Sequence, residues 1–287
     1  MSNSSTENTV STATRISNIE PTEDFLTGRA GLSLFVRYLR AIDLAPHLSR
    51  LFGSMRKSAK GQPVVEVFKQ VFCFFIDGTS RHLTYFDALK EDAAYGATIE
   101  TQAQALQSSH AVKRFFKAFS WFRIWLFRRL LQSLFLWRLK LAKPPVVVLG
   151  IDTMVMDNDE AGKRHGVAPT YKPVKGFQPL QVSWSRFLID AVFRGGDKHS
   201  NYSDTVEKMV RHLVAKIRRH YEPEAPIIIR LDSGFFDQKL MAVFEELKIG
   251  YIVAGKLYAD IKTKVGQFDP SPWKTLDNGR DQSEYAE

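Results

Sequence analysis

PIIIRLDSGFFDQKLMAVFEELKIGYIVAGK, residues 226–256, decides the fold of this chain. The apolar run before Asp232 predicts a buried strand, FFDQKLMAVFEELKIG has helical spacing, and YIVAGK returns to a strand. A strand, a helix and a strand in that order form a crossover, which implies that the two strands lie parallel. Upstream, SDTVEKMVRHLVAKIRRHY reads as an amphipathic helix. Ser203 or Asp204 is its N-cap, and Val206, Met209, Val210, Leu213 and Ile217 share one face. Before it, LQVSWSRFLIDAVFRGG predicts one long strand. The turn-rich EAGKRHGVAPTYKPVKGFQP predicts a strand near Thr170 and Tyr171, and VVVLGIDTMVMD predicts the first strand. Residues 146–256 therefore read as βββαβαβ, an α/β fold on a mixed sheet whose first three strands form an antiparallel meander.

Two aspartates stand at the ends of apolar strands, Asp152 in VVVLGIDTMVMD and Asp232 in IIIRLDSGFFDQ. That is where a buried strand meets the solvent edge of its sheet, the usual place for functional groups in α/β folds. Two carboxylates there can share divalent cations. Mg²⁺ is a hard ion that takes oxygen ligands, and two ions about 3.5 to 4 Å apart activate water and stabilise a departing phosphate oxygen. The competing reading is that each Asp caps the turn after its strand.

Composition narrows the choice. The chain has 287 residues, 44% of them hydrophobic, enough for one large or two ordinary domains. Its one cysteine, Cys73, excludes an internal disulfide and a cysteine-built zinc site, as expected in a cytoplasmic protein. Residues 1–24 are polar and rich in Ser, Thr and Asn, which predicts a disordered tail and not a signal peptide. The best candidate for a membrane span contains Arg123, Arg128 and Arg129, so none is expected.

The net charge of +9 lies in one place. Residues 101–145 hold Lys113, Arg114, Lys117, Arg123, Arg128, Arg129, Arg138, Lys140 and Lys143 and no acid, while acids and bases balance on either side. A concentrated basic patch favours polyanions, and nucleic acid is the natural partner. Residues 25–145 have helical periodicity throughout. GLSLFVRYLRAIDLAPHLSRLF predicts one or two helices ending near Pro46 and Gly53, and VVEVFKQVFCFFIDG a buried helix stopped by Gly78. From Ser109, read as an N-cap, to Lys143 there is no Gly or Pro, which predicts one long basic helix ended by Pro144 and Pro145. Phe115, Phe119, Phe122 and Leu126 form its packed face, and the arginines its exposed part. Lys113, Arg114, Arg123, Arg128 and Arg129 are the candidate phosphate contacts.

The order βββαβαβ, with one Asp on the first strand and another ending the fourth, is the plan of the RNase H-like fold. Here the chain resembles the DDE-type insertion-sequence transposases, the cut-and-paste class with a β-rich insertion before its last acidic residue. The resemblance covers residues 26–287. It is carried by LTGRAGLSLFVRYLR in the helical region, by YKPVKGFQPL, by FRGGDKHS and, most specifically, by RLDSGFF. Lys172 stands where that family often has Asn, and Gly195 where it often has Pro.

The resemblance implies that Asp152 and Asp232 are the first two catalytic carboxylates and bind two Mg²⁺ or Mn²⁺ ions. It implies a helical DNA-binding region at 25–145, a partial RNase H-like catalytic domain at 146–256 and the start of the insertion at 257–287. The implied partners are double-stranded DNA, as terminal inverted repeats and target, and a second copy in a synaptic complex, so that the protein works in the cytoplasm on DNA. The implied reaction is DNA cleavage and strand transfer. The family's third carboxylate, a Glu on a helix beyond the insertion, has no counterpart here. FDPSPWKTLDNGRDQSEYAE resembles the insertion's opening, and Glu284 and Glu287 stand in a polar, turn-rich tail. The expectation is a partial copy lacking that ligand and inactive by itself.

Rival readings are a non-enzymatic DNA-binding regulator of transposition and a basic helix at an anionic membrane surface. GYIVAGK has the spacing of a phosphate-binding loop but lacks the following Ser or Thr. The histidines show no pair at ligand spacing, and Ser233 has no adjacent base. Asp157, Asp159 and Glu160 read as a solvated turn.

Overall fold

The computed structural model describes residues 26–55, 61–160, 164–255, 258–267, 274–277 and 282–285. The tail 1–24 and Glu287 lie outside the described residues. The chain forms two compact units, Met1–Ile124 and Trp125–Glu287.

The first unit is helical, with α1 (Leu32–Ala41), α2 (Leu44–Phe52), α3 (Val64–Asp77), α4 (Tyr85–Glu91), α5 (Tyr95–Thr98) and α6 (Ser109–Lys117). Val67, Val71, Cys73 and Phe74 on α3 meet Leu32, Val36, Phe86, Leu89, Tyr95 and Val112 in one core. Gly78 ends α3 at φ 64°, a left-handed cap that glycine adopts without a Cβ penalty. Arg29 pairs with both Asp77 and Asp92 and so ties the segment before α1 to the ends of α3 and α4.

Two helix boundaries differ from the sequence reading. α1 stops at Ala41 because Asp43 turns to φ 50°, and Pro46 sits inside the first turn of α2, where its missing N–H has no helical partner to lose. The predicted basic helix is two helices, α6 and α7 (Trp121–Ala142), with a break at Ala118–Ser120. The Ser120 hydroxyl accepts from the Arg123 N–H at the start of α7, so a capping serine does what no Gly or Pro was present to do. The cap of α6 is Ser108, one residue earlier than read, bonded to the Ala111 N–H. Phe115 and Phe119 pack on Phe68 with ring centroids 5.0 and 6.2 Å away, but Phe122, past the break, is 63% exposed. The division between the units falls within α7.

In the second unit, α7 leads into β1 (Val147–Thr153), β2 (Met156–Asp157), β3 (Ala168–Pro169), β4 (Lys175–Phe177), β5 (Leu180–Trp184) and β6 (Phe187–Val192). Then follow α8 (Thr205–His220), β7 (Ile227–Leu231), α9 (Gln238–Glu246), β8 (Gly250–Val253), α10 (Ala259–Gln267), β9 (Lys274–Asp277) and β10 (Gln282–Tyr285). The main sheet has the order β6-β5-β1-β7-β8. β6, β5 and β1 pair antiparallel, and β1, β7 and β8 pair parallel. Along the chain this sheet and its helices read β1, β5, β6, α8, β7, α9, β8, the expected βββαβαβ, and the fold is RNase H-like. Val147, Leu149 and Ile151 of β1 and Ile227, Ile229 and Leu231 of β7 face a core closed by Val206, Met209, Val210, Leu213, Val214 and Ile217 of α8.

The meander is built differently from the sequence reading. The long third strand is a hairpin, because Ser185 takes φ 54° and the chain reverses across Ser185–Arg186. Both remaining strands of the meander, β5 and β6, come from it. Thr170 and Tyr171 lie in a bend after β3, and the turn-rich stretch forms a separate sheet of order β2-β4-β3 inserted between β1 and β5. α10 lies where the sequence suggested only the opening of a β-rich segment.

Candidate active site

The register of β1 on β7 places the two aspartates side by side. Val147 is level with Ile227 and, in steps of one, Ile151 is level with Leu231, so the next residues on the two parallel strands are Asp152 and Asp232. Neighbouring strands lie about 4.8 Å apart, and side chains alternate between faces. Ile151 and Leu231 enter the core, so both aspartates project to the other face at the C-terminal edge of the sheet, and both are exposed.

The backbone orients each carboxylate. The Thr153 N–H donates to Asp152 Oδ1 at 2.6 Å, and the Gly234 N–H donates to Asp232 Oδ1 at 3.0 Å. Asp232 thus caps the single turn Ser233–Phe235, as the competing reading had it, yet only one oxygen is used. Among the described residues no cation pairs with either aspartate and neither Oδ2 has a bonding partner, so both keep free lone pairs at the edge. The donor set of two adjacent, exposed carboxylates suits a hard divalent cation. Among the described residues there is no group of three or more His, Cys, Asp or Glu at metal-binding distance, so the pair is not completed there. Glu284 falls in the β9–β10 hairpin.

Asp232, Ser233 and Gly234 open onto a cleft of about 540 Å³ whose other walls are Thr153, the bend at Thr170–Tyr171 and the loop Gly196–Ser200. Sequence reasoning quoted that loop in FRGGDKHS but gave its residues no role. Its support is Arg194, which is buried and donates to the backbone oxygens of Gln178, His199 and Ser200 at 3.0–3.2 Å. No carboxylate partners Arg194 among the described residues, and burial pushes its pKa down. Lys198 holds Asp197 at 2.7 Å and lies 4.4 Å from the Tyr202 ring centroid, which raises the lysine and lowers the aspartate pKa. Asp157 and Asp159 accept backbone N–H bonds in the turn after β2.

The basic candidates separate. Lys113 and Arg114 are exposed on α6. Arg123 donates to the Ala118 carbonyl at 2.6 Å and closes the end of α6. Arg128 grips the fully buried Asp190 with two bonds of 2.7 and 2.8 Å, so it is a structural cation and not part of the exposed face. Arg129 is exposed, 4.7 Å above the Trp125 ring. No helix among the described residues is long and apolar enough to cross a membrane.

An RNase H-like sheet with paired aspartates at the ends of its two central parallel strands defines the class. The sequence matches the family described as Transposase DDE domain group 1 over residues 19–287, and the chain belongs to that family. No curated protein matches it in sequence. Among solved structures it is similar to the catalytic domain of the Mos1 mariner transposase, at 11% identity and a TM-score of 0.28, covering 49% of this chain and 71% of that one. It is also similar to the piggyBac transposase in a synaptic complex with hairpin DNA, at 10% identity and a TM-score of 0.37, covering 87% and 56%. A third is the Mos1 mariner paired-end complex with Mn, at 14% identity and a TM-score of 0.28, covering 83% and 82%.

Proposed function

We propose that this transposase-family chain carries the cutting and joining centre for the ends of an insertion sequence, with Asp152 and Asp232 as two of its metal-holding carboxylates. The observation that carries the reading is their shared level on adjacent parallel strands, side by side on one face. The family match supports the chemistry. Asp152 and Asp232 would hold Mg²⁺ or Mn²⁺ through their unbonded oxygens, while the N–H groups of Thr153 and Gly234 fix the rotation of each carboxylate. When bound, the cations supply activation of a water or 3′ hydroxyl and neutralise charge on the departing oxygen. The loop Gly196–Ser200, braced by Arg194, forms the wall against which a DNA strand would lie. Lys113, Arg114 and Arg129 are proposed phosphate contacts, and the reading brings with it a second copy at paired DNA ends.

The test is Mn²⁺- or Mg²⁺-dependent nicking of duplex DNA carrying the element's ends. The expected result is cutting once a third carboxylate completes the site, and a loss of at least about a hundredfold in Asp152→Ala and in Asp232→Ala, with DNA affinity retained. Binding without cutting under both metals would favour the regulator reading. Cutting that survives both substitutions would refute the assignment.

A further inference from the structure

Between α7 and α8 lies a second cleft, of about 370 Å³, whose walls include Arg128, Arg129, Lys208 and His212. Behind it runs a polar network. Asp190 is bound by Arg128 and, at 2.9 Å, by Gln132 Nε2, and the Gln132 oxygen meets His212 at 3.0 Å and Lys216 Nζ at 2.7 Å. Five basic side chains thus line the cleft or the network behind it, which holds one carboxylate, paired with Arg128. Glu207 offers no relief, since it is bonded to Arg211. The crowding is visible in the side chains themselves. Burial first, and then neighbouring cations, depress the pKa of both His212 and Lys216.

We propose that this cleft is an anion site that seats a backbone phosphate of duplex DNA, with Arg129 and Lys208 as its contacts. The proposal rests on the DNA reading above and adds a site to it. Its position suits the role. Val192, in the cleft wall, is level with Leu180 on β5, which is level with Thr153 beside Asp152, so the cleft lies at the same end of the sheet, two strands along and on the face opposite the aspartates. A duplex wrapped over that end of the sheet would meet both. The α8 contact was not visible in the sequence, because Lys208 only falls outside the apolar face of an amphipathic helix.

The experiment measures affinity for a short mixed-sequence duplex as a function of salt, comparing the full chain with Lys208→Gln, Arg129→Gln, the double variant, and Arg218→Gln, a cation of α8 bonded away from the cleft to the Lys248 carbonyl. Arg129 and Lys208 are exposed, so their replacement leaves the core intact. The expected result is about a tenfold loss in the double variant, with the log–log salt slope reduced by roughly one to two units, and little change in Arg218→Gln. On duplex binding the His212 imidazole, followed by NMR, should shift to a higher pKa. If the chain binds duplex while the double variant keeps its affinity and slope, the cleft is not a phosphate site and the DNA reading stands. If the unaltered chain binds no duplex, the DNA reading falls and this proposal falls with it.

Discussion

At the scale of single residues, the same side-chain types serve opposite ends depending on burial. Asp152 and Asp232 are exposed and unpaired by cations, which leaves them available as ligands, whereas Asp190 is fully buried and held by two bonds from Arg128. Removing one partner of a buried pair leaves an uncompensated charge, typically costing about 3 to 5 kcal/mol. Arg128→Met should therefore lower the unfolding free energy by about 3 kcal/mol in urea titration. An unchanged midpoint and slope would show that Gln132 alone satisfies Asp190. None of this was legible in the sequence, because Arg128 and Asp190 are 62 positions apart and nothing local marks either as a partner of the other. Asp152 and Asp232 were legible, because each interrupts the edge of an apolar run. Their adjacency was not, since it depends on the register of β1 against β7.

At the scale of elements, strong periodicity was readable and weak punctuation was not. The Ile227–Leu231 run, α9 and β8 form the expected crossover, and the apolar face of α8 is buried as read. The breaks at Ser120 and Ser185 carry no Gly, Pro or Asn-Gly signal, so one helix became two and one strand became a hairpin. Close packing between elements shows at Gly196, where a Cβ would lie 2.2 Å from the Ala168 carbonyl oxygen and 2.4 Å from that of Gly176. Both obstacles are backbone and cannot move cheaply. Gly196→Ala should pull the loop Gly196–Ser200 off the small sheet, and increased protease cutting in that loop, with weaker nicking, is the expected outcome. α8 also gives a pH dependence. His212 faces Arg128 and Arg129 of α7, Asp190 of β6, and Lys208 and Lys216 of its own helix, and its pKa is depressed below 6.5, by burial first and then chiefly by Lys216. The folded state thus disfavours the imidazolium. The stability this contributes is present above pH 6.5 and is lost as pH falls from there through the depressed value. Unfolding titrations across that window should show the loss, and His212→Gln should reduce it.

At the scale of the whole molecule, the two units have separate cores, and the basic segment is shared between them. The excess of +9 comes entirely from residues 101–145, which run from the helical unit into α7, while the carboxylate pair belongs to the RNase H-like unit. Family membership and sheet topology agree, and the proposal that joins them to chemistry rests on the aspartate pair. The most direct test of that claim is Mn²⁺ titration of the isotope-labelled chain followed by paramagnetic broadening of its amide NMR signals. The account predicts that the amides of Thr153, Ser233 and Gly234 broaden first, and that Asp152→Asn and Asp232→Asn each abolish this early broadening. Early broadening centred on another part of the chain, or persisting in both variants, would contradict it.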